Sequence, residues 1–272
     1  MEAYMRKLLV PLACTLALPA PALAQDTFDG FYAGASAGYA TLQGRDETIT
    51  FDRGSNGSFG ETVTTATGAN AFSPGFCSGA ATSPQNADCR KDSNGGSYHF
   101  RLGYDRQMGG LVVGLIGEIG KSNLRDSVAA FSTTPAFYTM TREVDLDAAL
   151  RLRLGTTVGS KTLAYVTGGA AYAKLDHTFV TSNTVNAFAV LGDDNVWGWQ
   201  AGTGLEHRIG KNFSIGAEYL YSRYSDSDAL VRVSQGMAGA TNPFVLAGGV
   251  DFKRASDRFD HHAFRVVANY RF

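Results

Sequence analysis

The sequence predicts an all-β protein: an eight-stranded antiparallel up-and-down transmembrane β-barrel with short turns on one side and four long loops on the other. Three observations carry this. Apolar and polar residues alternate with period two in segment after segment, the connections between these segments alternate between short and long, and the pattern runs to the last residue, Phe272. Beyond the first 24 residues there is no apolar run of 18, and mean hydropathy is −0.10. That excludes a helical membrane protein. It leaves a barrel open, because alternating strands average out in any hydropathy sum.

The N-terminus gives a compartment. Arg6 and Lys7 precede an apolar run from Leu8 to Ala24 that ends in Ala22-Leu23-Ala24. This is the layout of a cleaved secretory signal, so residues 1–24 are expected to leave and 25–272 to form one barrel domain. Pro11, Pro19 and Pro21 make the run a poor membrane anchor. Cys14 does not read as a lipidation site, because "VPLAC" lacks the usual Leu and apolar sequence continues beyond it. Lysine plus arginine number 24 against 25 acidic residues, with no basic stripe of the kind a nucleic-acid partner requires. Cys77 and Cys89 remain, and an even pair in an exported chain reads as a disulfide. It would add about 3 kcal/mol on the loop-entropy model. A metal site is the weaker alternative, since no histidine or second cysteine pair lies nearby.

The strands follow in order. "FDGFYAGASAGYA" near residue 30 is strand-like, with small residues that leave its faces ambiguous. "SYHFRLGYD" sets Tyr98, Phe100, Leu102 and Tyr104 against His99, Arg101 and Asp105, and "LVVGLIGEIG" sets Leu111, Val113, Leu115 and Ile119 against Glu118. "REVDLDAALRLRL" puts Val144, Leu146, Ala148, Leu150, Leu152 and Leu154 on one face, with Asp145, Asp147, Arg151 and Arg153 on the other. Helical grouping at i, i+3 and i+4 would mix Asp147 and Arg151 with the leucines, so period two fits better. "TLAYVTGGAAYA", "VWGWQAGTGLEHR", "FSIGAEYLYS" and "HAFRVVANYRF" complete eight strands.

The tight connections are Met108-Gly109-Gly110, Val158-Gly159-Ser160-Lys161 and Gly210-Lys211-Asn212. The long ones span about residues 43–96, 123–141, 179–195 and 226–258. Eight crossings then place every long loop on one side, and the short turns and both termini on the other, which is the asymmetry of outer-membrane barrels. In lipid the apolar faces point outward and the charges into the lumen. The lumen set is Arg101, Glu118, Asp145, Asp147, Arg151, Arg153, Glu206, Arg208, Glu218, Arg265 and Arg271. An interior of eight strands is just wide enough for side chains to fill, so these charges read as a plug, with a narrow selective pore as the alternative. A soluble lipocalin-like barrel would invert the faces and leave Phe272 unexplained.

"FDGFYAGASAGY", "LRLRLGTTVGSKTLAYVTGGAAYA", "NFSIGAEYLYSRY" and the terminal "RVVANYRF" resemble the small outer-membrane barrels of the porin-like, OmpA-type superfamily, especially its surface-antigen members. The resemblance covers most strands and few of the long loops. It implies a place in the bacterial outer membrane, with membrane lipid and lipopolysaccharide as surroundings. It also implies that the barrel-assembly machinery reads Phe264, Val266, Ala268, Tyr270 and Phe272 as an assembly signal. The expected role is structural: envelope integrity and surface presentation without catalysis, with a low-conductance porin or a loop-borne adhesin or ligand receptor as alternatives.

Enzymatic and cofactor readings are weak. Asp193-Asp194 with Asp260-His261-His262 offers the acid pair and Asp–His pair of omptin-type proteases. Those barrels have more strands, and no further motif matches, so these are read as solvated rim residues. His177, His207, His261 and His262 show no ligand spacing beyond the adjacent pair, so no catalytic, metal or cofactor site is assigned. Trp197, Trp199, Tyr138, Tyr172, Tyr219 and Tyr221 read as interface anchors. Lys121, Arg125, Arg142, Lys174 and Arg223 fall near the external rim, where lipopolysaccharide phosphates would sit. The long loops, rich in Gly, Ser, Thr and Asn as in "GSNGSFGETVTTATGANAF", are expected to lack a packed core and to be where any external ligand binds.

Overall fold

Thirteen strands and one short helix follow one another in the computed structural model, which describes residues 28–43, 47–72, 92–134 and 136–272. They are β1 (Gly30–Leu42), β2 (Ile49–Arg53), β3 (Gly95–Met108), β4 (Leu111–Ser122), β5 (Arg125–Ser132), β6 (Ala136–Val158), β7 (Thr162–Thr181), β8 (Ala187–Leu191), β9 (Asn195–Arg208), β10 (Phe213–Ser225), β11 (Leu230–Ser234), α1 (Pro243–Leu246), β12 (Val250–Arg254) and β13 (Arg258–Arg271). The expected signal segment 1–24 and the Cys77–Cys89 pair lie outside the described residues.

Eight strands close a ring in the order β4-β3-β1-β13-β10-β9-β7-β6, with β6 pairing back onto β4. All these pairs are antiparallel. Closure explains the C-terminal pattern. β13 pairs with β1 from Leu42↔His261 to Tyr32↔Arg271, and the Phe272 amide still donates to the Phe31 carbonyl at 3.0 Å. An open sheet edge in hydrocarbon would leave main-chain groups unpaired, each at a cost of several kcal/mol. The three tight connections are hairpin turns, with Gly109 and Gly159 at positive φ.

The outer face of the ring is apolar. Phe100, Leu102, Leu150, Leu152, Val166, Leu205, Phe264 and Val266 are all exposed, Phe100 by 73%. In water such a continuous patch would be unstable; in a bilayer it is the surface that lipid covers.

On the side of the long connections the described residues continue the fold. β6 and β7, 23 and 20 residues long, run on past the ring, and β5 pairs with upper β6 from Arg125↔Glu143 to Ser132↔Ala136. A second sheet, β2-β12-β11-β8, stands opposite them. Between the two lies an apolar core that includes Ile49, Phe51, Val63, Phe72, Val128, Tyr138, Met140, Val231, Phe244 and Phe252. The expectation of coreless loops is therefore corrected. The core residues come from three connections far apart in sequence, so no local window is apolar enough to announce them. Tyr138, expected at the membrane interface, belongs to this core and is 1% exposed.

A second correction concerns parity. β6 carries a β-bulge between Val144 and Leu146. Below it the inward residues are odd-numbered (Asp147, Arg151, Arg153); above it they are even-numbered (Tyr138, Met140, Arg142, Val144). The extra residue is Asp145, which projects outward to Lys121 at 3.6 Å and Lys174 at 3.8 Å. Asp145 is therefore not a lumen charge. The alternation of residues 144–154 hides a one-residue insertion, because a bulge changes pairing and not the sequence period.

Candidate functional site: lumen and external head

The lumen is built in layers. In the central layer Glu118 meets Arg151 at 2.6 Å, Arg265 at 2.8 Å and Arg101 at 3.2 Å. Glu218 lies across from Arg101 at 2.9 Å and Arg151 at 3.3 Å, and accepts from the Tyr165 hydroxyl at 3.1 Å. Strands β3, β4, β6, β10 and β13 each contribute one member, so the network ties opposite walls together. Arg101, Arg151 and Glu218 are wholly buried side chains.

Below it, Arg153 pairs with Asp105 at 3.3 Å and with Glu206, and Arg271 pairs with Asp105 at 2.8 Å. Ser214 donates to Glu206 at 2.6 Å. The Arg153 guanidinium lies 4.1 Å from the Tyr165 ring centre, and that of Arg271 lies 4.8 Å from Tyr32. Tyr32 lies against Gly103, where a Cβ would overlap the ring. Arg208, at the turn side, donates to the Lys211 carbonyl and sits 5.9 Å from the Phe28 ring. Phe28, Val112, Leu163 and Tyr165 form an apolar stopper at this end.

Above the centre, His99 contacts Asp147, and the Arg265 guanidinium reaches His99 at 3.4 Å. Next comes an apolar layer that includes Leu124, Val144, Leu175, Val196, Leu220, Tyr224 and Phe259. A charged floor under the head follows. Arg142 pairs with Asp126 at 2.7 Å, Asp226 at 3.1 Å and Glu47 at 3.6 Å, and Arg254 pairs with Glu47 at 2.5 Å and Asp126 at 2.7 Å. Burial opposes ionisation of Asp126, but Arg254 and Arg142 outweigh it and hold its carboxyl below the usual range. Isolated ions in such surroundings would be prohibitively costly; here each has a partner.

Ten of the eleven expected lumen charges thus point inward, and Asp145 does not. Asp105, His99, Arg142 and Arg254 join them. Asp105 stands on the polar face of its segment, so its pattern could have included it. Arg142, expected at the rim, is 1% exposed; only the bulge sends it inward. Phe264, Val266, Ala268, Tyr270 and Phe272 share the outward face of β13 and the end of the chain, the first two and last two well exposed. The acid and Asp–His pairs are engaged separately: Asp194 with His177 at 3.2 Å, Asp260 with Arg223 at 3.0 Å, and His262 with the Tyr219 hydroxyl at 2.7 Å; Asp260 and His261 are buried, which corrects their reading as solvated rim residues. Trp197 and Trp199 are outward, and Trp199 lies 5.9 Å from the Arg223 guanidinium.

A closed ring with a lipid-facing apolar belt and a polar interior defines a bacterial outer-membrane β-barrel protein. The chain belongs to the family described as outer membrane protein beta-barrel domain, whose model matches residues 10–272. It is similar to the 31 kDa outer-membrane immunogenic protein of Brucella melitensis biotype 1, 25% identical over 250 residues that cover 91% of this chain and 85% of the relative. An uncharacterized protein of Coxiella burnetii is 26% identical over 138 residues, 47% of this chain and 53% of that one. Among solved structures, the outer membrane protein OprG from Pseudomonas aeruginosa aligns with a TM-score of 0.47 and 11% identity, covering 90% of this chain and 97% of its own.

Proposed function

We propose that this protein is a non-conducting, non-catalytic structural barrel that strengthens the envelope and presents a folded head outside the cell. The observation that carries this is the central ion layer, in which Glu118 and Glu218 tie Arg101, Arg151 and Arg265 across the lumen with side chains 2% exposed or less. A pore needs a continuous wet path; this lumen alternates apolar stoppers with paired charges. The name of the Brucella relative, an outer-membrane immunogenic protein, agrees with surface presentation.

Single-channel current of the refolded barrel in a planar bilayer tests the reading. It predicts a silent membrane with well-folded protein present. Reproducible steps, with an ion selectivity that changes in Glu118→Ala, would make the protein a narrow porin instead.

Two partners accompany this reading. The outward stripe Phe264, Val266, Ala268, Tyr270 and Phe272 is proposed as the signal for the barrel-assembly machinery. Deleting Phe272 should then lower surface levels far more than deleting Met237, which is 85% exposed in the head; equal levels would remove the assignment. The outward cations Lys121, Arg125, Lys174 and Arg223, the last 5.9 Å from the Trp199 ring, are proposed to meet lipopolysaccharide phosphates.

A further inference from the structure

Above Lys174 the wall of the barrel splits. Strands β7 and β9 pair from Thr162↔His207 up to Lys174↔Asn195, and one more link joins the Leu175 amide to the Asp194 carbonyl at 2.8 Å. The chain that would continue β9 upward is β8, and it pairs with β11 instead, from Leu191↔Leu230 to Ala187↔Ser234. The departure is made at Gly192, with φ of 122°, where a Cβ would fall 2.6 Å from the Asp228 carbonyl oxygen. Upper β7 keeps only β6, from Val144↔Leu175 to Tyr138↔Thr181. Residues 176–181 of β7 and Ala187–Leu191 of β8 therefore each present one edge with no ladder partner among the described residues. The two edges lie near each other: His177, Thr178 and Val190 line one small cavity with Met140, Arg142, Val231 and Arg254, and the Phe179 and Phe188 rings are 5.2 Å apart between the strands.

The other edges of the head are occupied. The Gly60 and Glu61 amides both donate to the Phe51 carbonyl beside β2, and Phe72 and Ser93 bridge to Ser132 and Arg125 beside β5. Native sheets normally cover or blunt an edge; here the Phe179–Phe188 contact spans the space between β7 and β8, and the main-chain edges themselves have no ladder partner among the described residues. Phe188 packs on the head core, yet Val190 on the same face is 45% exposed, and Leu191 at the strand end is also exposed. The rim of the gap is acidic, with Asp176, Asp193, Asp194 and Asp228 all exposed.

We propose that this gap is a strand-addition site for an extended peptide segment of an extracellular partner, one that alternates apolar and basic side chains. The partner's main chain hydrogen-bonds to the free edges of β7 and β8. Its apolar side chains, on one face of the added strand, cover Val190 and the Phe179–Phe188 pair. Its basic side chains, on the other face, meet Asp176 and the acidic end of β8.

The test uses the full refolded chain in detergent micelles and a fluorescent nonapeptide of alternating valine and lysine. Two control peptides replace lysine by glutamate, or keep lysine and methylate every second backbone nitrogen. Anisotropy should show binding of the first peptide and at least about tenfold weaker binding of both controls. Amide exchange at Ala187–Leu191 should slow when the first peptide binds. Asp176→Asn with Asp228→Asn should weaken binding in a variant of unchanged thermal stability. Equal binding by the methylated peptide would overturn strand addition in favour of plain charge attraction. Protection elsewhere in the head, no binding at all, or self-association of the chain through Ala187–Leu191 would each overturn the proposal too.

Discussion

The molecule has two interiors of opposite character. Inside the ring, Arg101, Arg151, Arg153, Arg265 and Arg271 are packed among Asp105, Glu118, Glu206 and Glu218. Inside the head, a few residues further along the same strands β6 and β7, the packing is Phe51, Phe72, Tyr138, Phe244 and Phe252. The difference follows from what lies outside. Where the outer face meets hydrocarbon, the apolar side chains are taken by lipid and the polar ones have only the inside to go to. Where the outer face meets water, the hydrophobic effect draws apolar side chains inward. The bulge at Val144/Leu146 is the mechanical device that lets β6 contribute to both, because one inserted residue exchanges its faces.

This contrast can be broken at either end. The largest effect is expected from Glu118→Ala. It leaves Arg101 and Arg151 with Glu218 alone and takes from Arg265 its paired carboxylate, and removing one partner of a buried pair typically costs about 3–5 kcal/mol. Urea titration of the refolded barrel reads it directly, and a stability equal to wild type would show that the layer is hydrated and not a plug.

Phe252→Ala attacks the other interior. Phe252 lies within 6.3 Å, centre to centre, of the rings of Phe51, Phe72, Tyr138, Phe179 and Phe244, and truncating a buried aromatic costs about 3–5 kcal/mol. The loss should be confined to the head. Limited proteolysis should cut β2, β11 and β12 while the ring remains intact. If the ring unfolds with the head at the same urea concentration, the two interiors form a single cooperative unit.

The smallest effect sits at the junction. His177, outside the membrane-spanning region, reaches Asp226 at 3.2 Å and Asp194 at 3.2 Å. Burial opposes its protonation, but the hydrogen bonds to Asp226 and Asp194 prevail and raise its pKa above the ordinary 6.5. A raised folded value means the stabilisation is fully present below the ordinary value and fades as pH rises through the raised one. Amide exchange near Asp194 should therefore quicken with rising pH beyond the chemical rate. In His177→Gln that extra dependence should vanish; if it persists, another group is responsible.

The ring was legible because its physics is local. Two-residue periodicity, the alternation of short and long connections, and an aromatic final residue are all readable without neighbours in space, and so were the inward Arg151, Arg153, Glu206 and Glu218. The head was not legible. Phe51 and Phe72 come from one long connection and Val231 and Phe252 from another, and each looks like an isolated apolar residue in a polar stretch until the sheets β2-β12-β11-β8 and β5-β6-β7 face one another. Asp145 was misplaced for a related reason, since the period that made its segment readable ran unbroken through the bulge that reversed it.

The sequence by itself determined the period, the sidedness of the connections and the polar character of the lumen, because these depend on each residue's own affinity for water or lipid. Tertiary structure alone decided which charges pair, where β6 changes its inward face, and that the long connections enclose a second core. Those outcomes depend on contacts between residues tens to hundreds of positions apart, and no property of a local stretch encodes them.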